Sequence, residues 1–195
     1  RDRLPDATMS DVQSRMTGSP NIEFADVGAG NDTVTRSSGS FVADGFVTGD
    51  TVRITGAVAS GGANNVVGVV TVAAGVLTFP DAGIALVAEG PIAGVSITAE
   101  PTLTFAEAGA SDTITRNRGS WLDDGFRAGD IITITGTASN NVTGPIATVS
   151  ATVITMTDAT DLAAEIIGTH GVTIVAGETK AQWIAAVDSA FADVD

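Results

Sequence analysis

An internal repeat constrains the fold of this chain more than any single residue does. The stretch DTVTRSSGSFVADGFVTGDTVRITG, which begins at Asp32, recurs as DTITRNRGSWLDDGFRAGDIITITG from Asp112. Further along, TVAAGVLTFPDA matches TVSATVITMTDA, and GVSI matches GVTI. We therefore interpret residues 22–99 and 103–176 as two copies of one module.

The recurring positions combine an arginine and aromatic residues with aspartates and glycines that favour turns. Glycine permits positive φ, and aspartate can bond its own backbone across a turn. We expect a helical turn that ends at Gly45 or Gly125, aromatic residues that fill the core beneath it, and an ion pair between the arginine and one of the two aspartates. Structural roles are assigned to Arg36/Arg116, Asp44/Asp124, Gly45/Gly125 and Asp50/Asp130, and core roles to Phe41/Trp121 and Phe46/Phe126.

The composition and its patterning predict an all-β protein. Hydrophobic residues make up 44% of the chain but aromatic residues only 5%, and threonine alternates with valine or isoleucine in TVRIT and IITIT. Such alternation suits half-buried strands, and short strands separated by turns indicate a small barrel or sandwich. Six strands are predicted in each copy, near 22–25, 32–36, 51–55, 66–73, 76–79 and 94–98, and near 103–106, 112–116, 131–135, 145–150, 152–157 and 171–175.

The predicted fold is therefore two tandem β-barrel or sandwich modules, with an extended N-terminal arm and a C-terminal amphipathic helix. The expected divisions are an arm over 1–20, module 1 over 21–100, module 2 over 101–177 and a helix over 178–195. Modules of this size bury limited apolar area on their own. We expect them to pack on each other, on the flanking segments or on another subunit.

The arm differs in charge from the rest of the chain. Its three arginines and three aspartates cancel, so the remainder carries the whole net charge of −14. Ser10 could begin a short helix, but the stretch ends in the breaker cluster Gly18-Ser19-Pro20. Two interpretations of the arm stay open: a frayed terminus, or an arm that reaches onto an acidic neighbouring subunit. In the second interpretation Leu4, Met9 and Met16 are the anchors, and Arg1 and Arg3 are further candidate interface residues.

The C-terminal stretch changes to a helical period. Thr179 and Gln182 form a capping box, and the apolar residues that follow fall on one helical stripe. This helix could pack on its own domain or dock on another subunit, with Trp183 and Phe191 as candidate contacts.

Composition excludes several kinds of partner and site. The chain has no cysteine, which rules out disulfides and thiolate metal sites. Its single lysine and pI near 4.1 argue against direct binding of nucleic acid, which needs clustered cations. No apolar run approaches the roughly 18 residues of a membrane span, so we expect no membrane partner.

The residues suggest no enzyme, and we assign no catalytic, cofactor or metal-binding residue. His170 is the only histidine and has no motif around it. The carboxylates Asp123, Asp124 and Asp130 could in principle form a glycosidase pair or a calcium loop, but they lie in turn contexts and do not match the EF-hand spacing. We predict turn and capping roles for them.

Two arginines distinguish the second copy from the first. Arg118 and Arg127 stand where the first copy has Ser38 and Val47. They could give the second module a basic face for an acid–base contact between subunits, or they could be ordinary solvated charges.

The string DTITR-x-x-GSW-x-x-DGF-x-x-GD-x-I-x-ITG, followed by N-N-x-x-G and TV-x-A-x-x-ITM, resembles repeat modules in structural proteins of tailed-bacteriophage particles. The tail VAGETKAQWIAAV is similar to segments of phage tail-associated proteins. The resemblance implies a head decoration or cement protein on the particle exterior, which contacts itself, as a trimer in the favoured case, and the major capsid protein or other virion proteins. The alternatives are a tail, neck or fibre component, and a calcium- or glycan-binding adhesion module.

Overall fold

A computed structural model describes residues 7–28, 31–58, 60–80, 83–109, 111–157 and 160–177. The chain divides into two compact units: the first unit is Asp11–Thr102, and the second combines Arg1–Ser10 with Leu103–Asp195. The sequence predicted a separate arm over 1–20, whereas the division falls between Ser10 and Asp11. The start of the chain is thus shared between the two units.

The described residues form seventeen strands and contain no helix. In chain order they are β1 (Ala7–Thr8), β2 (Ser14–Arg15), β3 (Ile22–Ala25), β4 (Asp32–Arg36), β5 (Thr51–Thr55), β6 (Val67–Val69), β7 (Thr71–Val72), β8 (Val76–Phe79), β9 (Glu89–Ile92), β10 (Ser96–Glu100), β11 (Thr102–Ala106), β12 (Thr113–Arg116), β13 (Ile131–Thr135), β14 (Thr143–Val149), β15 (Val153–Met156), β16 (Glu165–Gly168) and β17 (Thr173–Gly177).

The two units use matching antiparallel pairings. The first unit has a four-stranded sheet in the order β2-β10-β5-β6 and a five-stranded sheet in the order β7-β8-β4-β3-β9. The second unit has one sheet in the order β1-β17-β13-β14-β15-β12-β11-β16. The pairs β3–β4, β4–β8 and β5–β10 of the first unit therefore recur as β11–β12, β12–β15 and β13–β17. Within the described residues none of the three sheets closes into a barrel.

The single sheet of the second unit depends on one continuous strand. β14 pairs with β13 at one end and β15 at the other, whereas the first unit divides that path between β6 and β7. The register of β14 against β15 shifts between Ile146 and Thr148, and Ala147 is the extra residue. A β-bulge of this kind bends the strand, and it lies where β14 passes from its pairing with β13 to its pairing with β15.

Each unit has its own apolar core, and the core positions agree with the sequence repeat. In the first unit, Phe24 and Val34 from one sheet share a cluster with Ile54 and Ile97 from the other. The corresponding buried pairs are Ile22/Leu103, Phe24/Phe105, Val34/Ile114, Phe41/Trp121, Phe46/Phe126, Val52/Ile132, Ile54/Ile134, Val70/Ile146, Leu77/Ile154, Phe79/Met156, Leu86/Leu162, Val95/Val172, Ile97/Ile174 and Ala99/Ala176. The aromatic residues thus fill the cores beneath the recurring loop, as predicted.

The predicted helical turn is present in that loop in both units. The amide of Asp44 donates to the carbonyl of Ser40 at 3.0 Å, and in the second unit the amide of Asp124 donates to the carbonyl of Ser120 at 3.0 Å. Gly45 ends the first turn at a φ of 88°, and Gly125 ends the second at a φ of 99°. Both glycines therefore hold the positive φ that the predicted turn requires.

Most strand predictions are confirmed, and the exceptions have physical causes. The predicted strand over 66–73 is two strands, and β9 and β16 were not predicted because EGPI and EIIG do not alternate as half-buried strands do. The helix that Ser10 could have begun is absent, since residues 9–13 join β1 to β2 without helical structure. The predicted C-terminal helix lies outside the described residues.

Candidate functional site

Two short pieces of the N-terminal segment each add an edge strand to one unit. The inner piece, residues 14–17, pairs with β10 so that Ser14 faces Ala99 and Arg15 faces Thr98. Beyond the strand, the amide of Met16 donates to the carbonyl of Ile97 at 2.9 Å. We call residues 7–17 the docking segment.

The outer piece, residues 7–10, docks on the second unit in the same way. Ala7 faces Ala176 and Thr8 faces Val175 on β17, and the amide of Met9 donates to the carbonyl of Ile174 at 2.9 Å. The strand partners Ala99/Ala176, Thr98/Val175 and Ile97/Ile174 are the matched positions of the two units. Both pieces therefore dock in one register, seven residues apart in the chain.

Alternation along each piece buries one methionine. Met16 is 8% exposed and lies in the core of the first unit, and Met9 is 7% exposed and lies in the core of the second. Arg15 and Thr8 occupy the outward positions between buried residues. Met9 and Met16 were predicted to anchor the arm on a neighbouring subunit. In the structure both side chains lie in cores of their own chain. A frayed terminus, one of the two expectations for the arm, is wrong for these residues.

A buried arginine holds the end of the inner piece. The Arg36 guanidinium donates from Nη1 to Asp44 at 2.6 Å, from Nη2 to the carbonyl of Thr17 at 3.0 Å, and from Nε to the carbonyl of Ser38 at 2.6 Å. It also lies over the Phe41 ring, 4.9 Å from its centroid. A desolvated guanidinium needs partners of this kind, and here one partner is the docked backbone itself.

Asp44 binds the same docked residue from the other side, and we call the pair of Arg36 and Asp44 the clamp of the first unit. Its carboxylate accepts bonds from the amide of Thr17 at 3.0 Å and the hydroxyl of Thr17 at 2.5 Å. Burial is the largest influence and disfavours the charged carboxylate. The bonds from Thr17 and Arg36 outweigh it and hold the pKa of Asp44 below its usual value of 3.8.

The second unit repeats the clamp around Ser10. Arg116 donates to Asp124 at 2.5 Å, to the carbonyl of Ser10 at 3.2 Å and to its hydroxyl at 3.3 Å, and Asp124 accepts from the amide of Ser10 at 3.1 Å. Arg116 lies 4.8 Å from the Trp121 ring centroid. Burial again opposes ionisation, but the bonds from Ser10 and Arg116 lower the pKa of Asp124. Of the two predicted carboxylate partners, the arginines pair with Asp44 and Asp124.

Two glycines make room for the clamps. Gly39 and Gly119 have positive φ, and a Cβ at either position would overlap the guanidinium of Arg36 or Arg116. A side chain there would displace the arginine from its partners. These contacts give the SSG and NRG strings of the repeat a specific role.

The glycine that ends the helical turn borders the docked piece in each unit. Ser14 donates its hydroxyl to the carbonyl of Gly45 at 2.8 Å. In the second unit a Cβ added at Gly125 would lie 3.4 Å from the Cβ of Ala7. The prediction for Gly45 and Gly125 was thus incomplete: it assigned them to a turn alone, because the residues they border are distant in sequence.

Two other recurring carboxylates accept hydrogen bonds from backbone amides of their own unit. Asp112 accepts amide bonds from Leu162 at 2.6 Å and Ala108 at 2.8 Å, which lower its pKa in that order of effect. Asp32 does the same for Leu86 and Val27 in the first unit.

Two buried asparagines, not assigned from the sequence, fasten a loop in each unit. Asn64 exchanges bonds with both backbone groups of Val87 at 2.8 and 3.0 Å and donates to Glu89 at 2.6 Å. Asn140 makes the same set with Ala163 and Glu165. The recurrence of Asn-Asn in both copies was the available signal, and its spacing to the glutamate could not be read without the pairing.

The remaining predicted residues are dispersed. Arg127 is exposed and donates to the carbonyls of Leu122 and Phe126 in its own loop, while Arg118 is partly buried and its carbonyl accepts from Arg116. Asp50 and Asp130 accept turn amides from Val47 and Arg127, and His170 is exposed in a turn. Arg1, Arg3, Leu4, Trp183 and Phe191 lie outside the described residues.

The described residues hold neither a candidate metal site nor a helix that could span a membrane. No three His, Cys, Asp or Glu side chains within the described ranges are placed to hold a metal ion. Over the same ranges, no helix has the length and hydropathy to cross a membrane. No protein-family model, curated protein or solved structure matches the chain.

Proposed function

We propose that this chain is a non-enzymatic structural protein of a tailed-bacteriophage particle, where it decorates the exterior of the head and stabilises the shell through subunit contacts. The two units are copies of one β-module in this proposal, preceded by an arm over 1–20 and followed by an amphipathic helix over 178–195. The partners are other copies, as a trimer in the favoured case, and the major capsid protein.

One observation supports this proposal above the others: the polar residues common to both units fasten backbone to backbone. Segments that are distant in sequence are joined by four such residues of the first unit and by their counterparts in the second unit. The four are Arg36, Asp44, Asp32 and Asn64. A shell protein functions through rigid surfaces, and cross-linked loops and edge strands favour such surfaces. The resemblance of the repeat to phage structural modules is the reason why we propose a phage particle as the location.

The direct test is binding to heads. Purified full-length chain is mixed with undecorated heads and, separately, with isolated tails of the phage that encodes it, and bound protein is measured after sedimentation. Saturable binding to heads and an increased temperature of head disruption are expected. Binding to tails alone would replace the head assignment with the tail, neck or fibre alternative.

A second measurement addresses the adhesion alternative. A ligand that binds only the folded chain raises the melting temperature. Calcium or a glycan panel should leave the melting temperature unchanged if the chain is a shell protein, whereas a saturable increase would favour the adhesion module.

A further inference from the structure

We propose that the docking segment is an exchangeable strand: the two docking sites of one copy accept residues 7–17 of a second copy of this chain. The same contacts would then link copies instead of completing one of them. The inference deepens the proposed function and rests on it for the crowding of copies that exchange requires.

Both docked pieces occupy sheet edges. β1 ends the sheet of the second unit, and β2 ends the four-stranded sheet of the first. An edge strand can leave without breaking another ladder, but its departure uncovers the backbone groups of β10 and β17. Those edges then require a strand of suitable sequence, whichever chain supplies it.

The sites recognise a short sequence pattern. Each reads a buried methionine followed by a hydroxyl residue, Met16-Thr17 or Met9-Ser10, whose amide and carbonyl are held by the Asp–Arg pair. Addition of a strand with side-chain pockets is a general mode of peptide recognition. In each of the bonds described above, one piece of the segment contacts one unit, so a second copy can reproduce these bonds, which is the basis of strand swapping.

The connection after the docking segment suits a change of direction. Residues 17–19 are exposed, and Gly18 adopts a φ of 76°, a conformation that few other residues accept. A few small residues at the end of an element are typical hinge positions. Redirecting the chain at residues 17–19 therefore leaves the buried Pro20 and β3 in place.

Charge favours the segment as the part that approaches another copy. Residues 1–20 carry three arginines and three aspartates, so the rest of the chain has a net charge of −14. Two such bodies repel each other. A neutral segment with Arg15 exposed adds no like charge when it reaches an acidic neighbour.

Cysteine pairs test the inference, because the chain has no cysteine of its own. Thr8 and Val175 are direct neighbours across the ladder. The bond from Met9 to Ile174 on the next pair makes theirs the closely spaced, non-hydrogen-bonded kind that a disulfide can bridge. Full-length Thr8→Cys chain is mixed with full-length Val175→Cys chain at high protein concentration, oxidised, and analysed by non-reducing electrophoresis and peptide mass spectrometry.

The expected result is a disulfide between Cys at 8 and Cys at 175 of different chains, several-fold more abundant than either same-position disulfide. Its yield should rise with protein concentration and fall when a peptide of residues 7–17 is added in excess. The pair Arg15→Cys and Thr98→Cys should behave alike for the first unit.

Two results would overturn the inference. The first is an intrachain disulfide in the Thr8→Cys/Val175→Cys double variant, with no mixed disulfide between singly substituted chains at any concentration. The second is the absence of both disulfides, which would contradict the register itself. Because no heads are present, failure of head binding leaves this result unaffected, so the two proposals can fail separately.

Discussion

The two docking sites differ little where they hold backbone and considerably where they face solvent. Arg36 and Arg116 make corresponding bonds, and the aromatic ring beneath each arginine packs on a second ring with centroids 5.3 Å apart. The exposed loop position after those rings is Val47 in one unit and Arg127 in the other. The comparison teaches that the residues that hold backbone are closely matched between the units, whereas the solvent-exposed position after the rings differs.

The largest effect should come from removing the buried arginine. Arg36→Ala or Arg116→Ala leaves a largely desolvated carboxylate and a docked carbonyl without their cation, which costs about 3–5 kcal/mol in buried pairs. Urea unfolding measures the loss, with tryptophan fluorescence reporting the second unit, to which Trp121 and Trp183 both belong, and amide exchange the first. The exposed Arg53→Ala is the control and should change stability by no more than about 0.5 kcal/mol. Unequal losses of stability in Arg36→Ala and Arg116→Ala would show that the two docking sites are not equivalent.

Acid should reveal the same clamps. Because the pKa values of Asp44 and Asp124 are lowered, their ionised forms contribute stability above pH 3.8, and this contribution is lost as pH falls through the folded-state pKa. Asp44→Asn and Asp124→Asn should therefore be less stable than the parent chain at pH 7, and the difference should shrink below pH 3.8.

Unfolding midpoints measured from pH 7 to pH 2.5 give this difference directly. Asp123→Asn, an exposed neighbour in the same loop, is the matched control and should leave the midpoint at pH 7 unchanged. A difference for Asp124→Asn that stays constant across the whole range would contradict the ionised clamp.

Shortening the buried methionines should cost slightly less. Met9→Ala and Met16→Ala each remove a core side chain, for which about 2 kcal/mol is expected, at the low end of buried substitutions because the strands lie at edges. Val12→Ala, between the two pieces and 54% exposed, should be near neutral. Equal effects of Met9→Ala and Val12→Ala in urea unfolding would mean that the outer piece does not dock.

The asparagine loops should follow. Asn64→Ala and Asn140→Ala remove buried side chains that bond the backbone of Val87 and Ala163, at a cost of about 0.5–1.5 kcal/mol for each hydrogen bond lost. Amide exchange at those positions should accelerate in the variant unit only. Asn21→Ala, at an exposed position, provides the control. If this variant accelerated amide exchange at Val87 or Ala163 by the same amount, the role of Asn64 and Asn140 in fastening those loops would be refuted.

Much of the fold could be predicted from sequence because its signals are local and occur twice. Alternation in TVRIT and the glycines around Asp44 specify strands and turns within a few residues. The docking segment could not be predicted that way, since its contacts reach from Ser10 to Asp124. Two short pieces seven residues apart, each with one methionine, carry too little pattern to indicate a strand.

The clamp itself was predictable as a pair but not as a site. Recurrence of Arg36 and Asp44 indicated an ion pair, yet the third partner, the backbone of Thr17, supplies no side-chain signature beyond one hydroxyl. Gly125 shows the same limit, since its turn could be read locally but its neighbour Ala7 could not. Recurrence identifies which residues a module requires, whereas topology determines what they hold.

The smallest effect on stability should come from the exposed loop position where Val47 of the first unit corresponds to Arg127 of the second. Arg127→Val gives the second unit the residue found at Val47 and removes one exposed charge, so the free energy of unfolding should change by no more than about 0.5 kcal/mol. If Arg127 contributes to an acid–base contact between copies, the variant should associate more weakly at low salt and equally at high salt, where exposed charges are screened. Light scattering at two salt concentrations measures this, with Val47→Arg as the reciprocal variant. Identical association of all three chains would assign Arg127 to its own loop, where its guanidinium already bonds the carbonyl of Phe126.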